Sequence, residues 1–571
     1  METIAKYVKK NKKEIFYVGL ITLFAIIFRA IAFYCRNGVW IDELFSIYFI
    51  RQDNILQTLT TLWNEDVHMP AYFLLTKILG NIFGDTTFVY RLIGTVFSTL
   101  SVPLGFFIGK KLFNKPTGYL FAILLAISVF FTYYSIEIRF YGILVLFSII
   151  STYFQAIFLK TNKSSLGLIT SSLLVIYTFN LGIIFVFCQF LVGLIYLTIT
   201  KKELTKYIKN GVFTAILSIP AIIFLLKTST IYSNSLFSFV KEVFYFDLSF
   251  VYSLSLAYFS NLFFTLTNNA TWDYNLATMF NARYIIFGII PIIISLYGII
   301  KSLKTKNSNL LIILLPSVIF LLIEITLASM GKMGIIPRHT IISYPAIILA
   351  VAYGLTLDIK IINKILIVLL ILLQLIGIWG VKNTALTTKF GIFEKINNDI
   401  KELNLTSKDY IFVAEMGFIV QKFYDTDAKF VDFNADKICF YGDKKSMPKL
   451  FDQNTTKTIN RENKSEILKP YLRTDKPLTS FREFINKDYF NHLKKDTRFC
   501  ILITNPKAKL QNPTRINDEM YKYELYRILV NKINLEILDE ATKKLELETV
   551  INPENTEYLI FVYKTKALQN N

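Results

Sequence analysis

Through the first two thirds of the chain, apolar runs of 16 to 22 residues alternate with short basic or longer mixed segments. A helix rises about 1.5 Å per residue, so such runs suit the roughly 30 Å hydrocarbon core of a bilayer. Eleven spans are predicted, at 15–33, 88–109, 117–135, 141–159, 166–179, 181–199, 211–227, 284–300, 309–329, 339–357 and 362–381. As one helix 166–199 would be about 50 Å long, so it is read as two short spans hinged at Asn180-Leu181-Gly182. The stretch 68–84 includes Pro70 near its start and carries Lys77 and Asn81, and it is read as an amphipathic helix in the outer interface. From 382 onward the chain becomes rich in Lys, Asp and Asn, with β-type runs at Tyr410–Ala414, Phe430–Phe433, Phe499–Thr504 and Tyr558–Tyr563. Helical patterns lie between these runs. They predict a compact α/β domain, 382–571, following a membrane domain, 1–381.

Charge sets the threading. With the N-terminus inside, the inner segments hold 18 Lys/Arg in 50 residues and the outer segments 8 in 127. That is the asymmetry of the positive-inside rule, and merging 166–199 into one span destroys it. The outer side then owns loops 34–87 and 228–283 and the whole tail. The expected fold is a polytopic α-helical membrane protein of about eleven spans with a C-terminal extracytoplasmic α/β domain. The formal charge of +20 does not indicate nucleic acid, because residues 1–381 carry 30 Lys/Arg against 15 Asp/Glu, mostly between spans. A content of 53% hydrophobic residues, with 51 Phe and 33 Tyr, excludes an ordinary soluble enzyme. The N-terminus is basic and then apolar without a small-residue cleavage site, so the first helix is read as retained.

Ionisable residues near spans are costly and therefore informative. Arg29, Arg91 and Glu324 lie near outer span ends. Glu137-Ile138-Arg139-Phe140-Tyr141 and Arg338-His339 lie in short outer turns. Trp40-Ile41-Asp42-Glu43 and Asp66-Val67-His68-Met69-Pro70 lie in the first outer loop. All face one side, which predicts a shared polar cavity at the outer leaflet. Adjacent carboxylates at Asp42 and Glu43 repel, so cations, a divalent metal or a substrate must hold them. Simpler readings exist for some of these residues. Arg29 and Arg91 suit snorkelling anchors, and Asp42 suits the cap of a helix beginning near Leu44. With only His68, His339 and His492, a histidine metal site is not expected. Cys439 and Cys500 form a candidate disulfide if the tail is extracytoplasmic.

Trp40-Ile41-Asp42-Glu43 resembles the acidic motif in the first outer loop of GT-C glycosyltransferases. The nearest resemblance is to the dolichyl-phosphate-mannose-protein mannosyltransferase-like group and the bacterial aminoarabinose and lipid A sugar transferases. Asp66 to Leu75 resembles that group's Asp-x-His-Pro-Pro-Leu-Tyr-Tyr-Leu-Leu pattern, with Met69 and Ala71 replacing a Pro and the Leu. Gly84, Arg91, Gly109 to Phe113, Glu137 to Tyr141 and Arg338-His339 are similar to later signatures, so the resemblance covers about 1–360. It implies an inverting glycosyltransferase in a bacterial plasma membrane, multi-pass among the membrane lipids. The implied donor is a polyprenyl-phosphate-linked sugar, and the acceptor a glycan, lipid or protein at the outer face. Asp42 would be the base, supported by Glu43. Arg139, Arg338, His339 and Lys77 would bind the donor phosphate, and Asp66, His68, Glu137 and Tyr141 the substrates. No cofactor is implied beyond a divalent metal at the doublet. Trp272-Asp273-Tyr274 is similar to part of an oligosaccharyltransferase motif but precedes the eighth span, and is read as coincidence. The alternatives are an oligosaccharyltransferase or glycan ligase of the same class, or a lipid-linked-sugar transporter. Charges gathered at one face, without repeated halves, disfavour the transporter.

Overall fold

The computed structural model describes residues 11–234 except 37 and 67, 246–261 except 247, 267–268, 273–274 and 285–381 except 359. Of the tail it describes 392–431 except 415–416, then 481, 490, 493–504, 530, 533–552 and 558–565. Trp272, Cys439 and His492 lie outside the described residues, and so do residues 432–433 of the second predicted strand.

Each of the eleven apolar segments is mainly helical in its described part, with 341–343 a turn between a 3-10 helix and the Tyr344–Thr356 helix. Seven helices among the described residues are long and apolar enough to cross a membrane, and nine if each of two bent pairs counts as one span. The bent pairs are Lys115–Ile127 with Val129–Ser135 and Thr205–Leu217 with Ile219–Lys227. Ser165–Thr178 and Tyr344–Thr356 are shorter apolar helices. The hinge at 180–182 is present, since one helix ends at Thr178 and the next begins at Gly182. Ala71–Phe83 has 13 residues, about 20 Å of helix, too short for a bilayer crossing.

The 58° bend at Ser128 is built from polar side chains. Asn261 Oδ1 accepts the Val129 N–H at 2.9 Å, and Asn261 Nδ2 donates to the Ile127 carbonyl at 3.0 Å. Ser128 Oγ accepts the Phe131 N–H at 3.1 Å. Arg29, fully enclosed, donates to the Leu125 carbonyl at 3.3 Å and to Ser98 Oγ at 3.0 Å. It is therefore not a snorkelling anchor. It sits at the end of a helix whose last carbonyls lack intrahelical partners and whose dipole favours a cation. The bend turns 129–135 toward the Glu137–Arg139 turn. Beside it, a Cβ on Gly142 would meet the Gly94 carbonyl oxygen at 2.4 Å, so glycine lets the two spans touch there.

Among the described residues of the tail, five strands form one sheet in the order 429–430, 410–413, 498–504, 558–565, 545–551. The 410–413 strand is parallel to both its neighbours, and the last two pairings are antiparallel. Alternate residues of 498–504 point to opposite faces, as strand geometry requires. Phe499, Ile501 and Ile503 pack with Phe412, Ile533 and Ile537, while Cys500 and Leu502 pack with Ile411, Ile560 and Val562. Both faces are thus covered around the central strand.

Candidate active site

The Ile41–Ile50 helix begins three residues earlier than the sequence suggests. Its N-cap is Trp40, and the Trp40 N–H donates to Glu43 Oε2 at 3.2 Å. Glu43, not Asp42, therefore satisfies the helix start. The two carboxylates of the doublet then part company. Glu43 is fully buried, with Oε2 at 3.2 Å from Arg36 Nη2 and Oε1 at 3.3 Å from Arg91 Nη2. The Ile138 N–H donates to Oε1 at 2.8 Å. Burial opposes its charge, but Arg36, Arg91 and the two backbone donors outweigh that and hold the carboxyl below its ordinary range. Cations, not a third carboxylate or histidine, hold the doublet. Among the described residues no three His, Cys, Asp or Glu side chains gather as metal ligands.

Asp42 points the other way. Its Oδ2 pairs with Arg338 Nη2 at 3.4 Å and its side chain is 27% exposed. Arg338 lies over the Trp40 ring, 5.2 Å from its centroid. Arg139 Nη1 donates to the Asp42 carbonyl at 3.4 Å, and Arg139 Nη2 donates to His68 Nε2 at 2.8 Å. A guanidinium can only donate, so His68 Nε2 is the acceptor and its proton sits on Nδ1. That proton faces Asp66 Oδ1 at 2.9 Å. Asp66, His68 and Arg139 form one relay ending at the Asp42 backbone. The Nε atoms of Arg139 and Arg338 are buried and make no hydrogen bond among the described residues. Buried donors of this kind call for a partner, and an anion supplies one.

Glu137 lies behind this layer, 3.5 Å from Arg36 Nη2 and 1% exposed. Burial pushes its carboxyl up to about 7; Arg36 pulls it down and the Glu43 charge adds to the rise. Tyr141 is buried against Phe140 and Tyr134. His339 lies beside Arg338 in the Pro337–Thr340 turn. Lys77 does not join the cluster. Its ammonium donates to the carbonyls of Ile50, at 2.9 Å, and Gln52, at the far end of the Ile41–Ile50 helix. It caps that helix there, away from Arg139 and Arg338, with which the sequence reading places it at the donor phosphate. Glu324 is also fully buried, but in the Ser308–Ser329 helix.

Residues that the sequence left out or misread complete the site. Arg36 looks like an ordinary flanking cation in sequence, and Arg91 like an anchor; both are buried partners of Glu43. Glu394, far along the chain, accepts the Val39 N–H at 2.8 Å. Arg91 was marked by its place at an outer span end and, with Gly84, in the resembling motif, whereas nothing local marked Glu394.

Residues 67–226 match the family model described as dolichyl-phosphate-mannose-protein mannosyltransferase. The fold is similar to that of ArnT from Cupriavidus metallidurans bound to undecaprenyl phosphate, with a TM-score of 0.52 and 10% identity. That match covers 97% of this chain and 98% of the other. The chain is similar to that mannosyltransferase family over 67–226 and shares the fold of this ArnT. The apo form of the same ArnT also matches this chain, with a TM-score of 0.53 and 10% identity over 95% of this chain and 98% of that one. No curated protein matches the chain. The resemblance read from the motifs is thereby borne out, and the polytopic membrane fold with it.

Proposed function

We propose that this protein transfers a sugar, with inversion, from a polyprenyl-phosphate-linked donor to an acceptor hydroxyl at the outer face of the membrane. The observation that carries the reading is the split doublet: Glu43 is enclosed by two arginines, while Asp42 is partly exposed beside Arg338 and Arg139. In the proposed step the acceptor oxygen attacks the anomeric carbon and its proton passes to Asp42 Oδ. The bond from that carbon to the phosphate oxygen breaks, and the phosphate leaves with the electron pair. Arg139 and Arg338 then meet the charge that grows on it. Burial acts against the charge on Arg338, but Tyr141 and Asp42 raise its proton affinity, so it stays cationic. The fold shared with an ArnT bound to undecaprenyl phosphate supports a lipid phosphate as the leaving group.

The reading includes eleven spans, with the tail from 382 outside. Contacts of the tail with the first loop, such as Glu394 with Val39, favour one side for both. A reporter that matures only outside the cytoplasm is expected to be active when fused after Asn571 and silent at Lys206. The deciding assay offers purified protein polyprenyl-phosphate donors carrying one sugar or an oligosaccharide, with glycan, lipid and peptide acceptors. Transfer from the monosaccharide donor, with inverted anomeric configuration, supports the reading. Transfer of the oligosaccharide alone moves the protein to the glycan ligases, and no release of polyprenyl phosphate from any donor overturns it.

A further inference from the structure

The helix carrying Asp42 has only ten residues, so its placement depends on neighbours. Two neighbours and the helix's own Glu43 act on the turn before it. Glu394, in the first turn of the Ile392–Glu402 helix, accepts the Val39 N–H through Oε2 at 2.8 Å. Arg91 Nη2 donates to the adjacent Gly38 carbonyl at 3.0 Å while pairing with Glu43. Glu43 in turn accepts the Trp40 N–H. Three consecutive residues, 38 to 40, are thus tied through their backbones immediately before Ile41. The tail also reaches the far end of the same helix. Arg51 Nη1 donates to the Lys422 carbonyl at 3.0 Å, and the Lys422 ammonium pairs with Asp53 at 3.2 Å.

These contacts differ in weight. The Lys422–Asp53 pair is exposed, and such pairs contribute little. The Glu394 bond is part-buried, and without it the Val39 N–H has lost its acceptor.

We propose that Glu394 is a positioning residue for Asp42, so that the C-terminal segment is part of the catalytic unit and not an appended domain. It acts through the Val39 amide and touches neither donor nor acceptor. The proposal rests on Asp42 as the base. Since Arg139 and Arg338 hang from other turns, loss of the bond displaces the base and leaves the phosphate contacts in place. A displacement of about 1 Å costs on the order of 100-fold in rate.

Glu394→Gln keeps an acceptor oxygen at the same reach, Glu394→Asp is one methylene short, and Glu394→Ala has none. The full-length proteins are compared in detergent by kcat per folded molecule, KM for a polyprenyl-phosphate monosaccharide, and hydrogen exchange over residues 36–50. E394A and E394D are expected to lose about 100-fold in kcat with KM unchanged. Exchange over 36–50 is expected to quicken, and E394Q to restore both. A role in stability alone lowers the folded yield and leaves kcat per folded molecule unchanged, which overturns the proposal. If alanine prevents folding, equal kcat in E394D and E394Q overturns it too. Should the wild-type protein transfer no sugar, the functional reading fails by itself. Exchange then still decides the placement: unchanged rates over 36–50 in E394D refute it.

Discussion

Replacing Asp42 with asparagine removes one charge and one proton acceptor while leaving the side chain's shape nearly unchanged. The structure bounds what else is lost. Asp42 lies in the first turn of the Ile41–Ile50 helix, where a carboxylate facing the dipole contributes about 0.3–1 kcal/mol. Its pair with Arg338 spans 3.4 Å with the carboxylate 27% exposed, and screening limits such a pair to about 1 kcal/mol. The helix start is satisfied by Glu43, which the substitution leaves in place. The cost in stability is therefore about 1–2 kcal/mol at most. Loss of a general base costs far more in rate, about 10²- to 10⁴-fold, or roughly 3–5 kcal/mol in the barrier. The two quantities are measured separately. Thermal unfolding of purified D42N in detergent reports the first, and single-turnover release of polyprenyl phosphate with a saturating monosaccharide donor reports the second. A folded protein that binds donor and turns over at least about 100-fold slower is expected. Transfer within about tenfold of wild type refutes Asp42 as the base and turns attention to Glu137.

Arg338→Ala and Arg139→Ala should each slow transfer by about 30- to 1,000-fold, equivalent to about 2–4 kcal/mol, as read in the same turnover assay. Glu43→Gln strands two buried guanidinium groups, so the expected loss is one of folding, about 3–5 kcal/mol, seen in the unfolding midpoint and in the yield of monodisperse protein. Glu137 gives a pH prediction. Its folded pKa, about 7, lies above the ordinary carboxylate value, so the folded state binds more protons than the unfolded one between them. Stability from this group therefore falls as pH rises from about 4.5 to 7, by up to about 3 kcal/mol. Glu137→Gln should flatten that slope and raise the unfolding midpoint at pH 8, and an unchanged slope between pH 5 and 8 refutes the assignment.

The sequence by itself determined where the helices lie, because an apolar run of bilayer length has few alternatives once its ends are marked by charge. It also determined that Asp42, Glu43, Asp66, His68, Glu137, Arg139 and Arg338 would be grouped, because each flanks a span or lies in an outer turn. Three of the tail's strands, 410–413, 498–504 and 558–565, lie within two residues at either end of the runs read from alternation and β-branched or aromatic content. The strand Leu545–Ile551 was not read, and it is an edge strand exposed on both faces from Glu546 to Thr549, with a register shift between Leu547 and Thr549.

Only the tertiary structure decided which carboxylate of the doublet is held and which is available. A helix turns about 100° per residue, so Asp42 and Glu43 face different neighbours. Those neighbours, Arg91, Ile138 and Arg338, come from elements 48 to 296 positions away. The same reason separates Lys77 from its expected partners. A four-carbon stem reaches whatever lies beside it, and what lies beside it is the Ile50 carbonyl. It also hid Glu394, an unremarkable glutamate in a polar helix until the fold brings it against Val39.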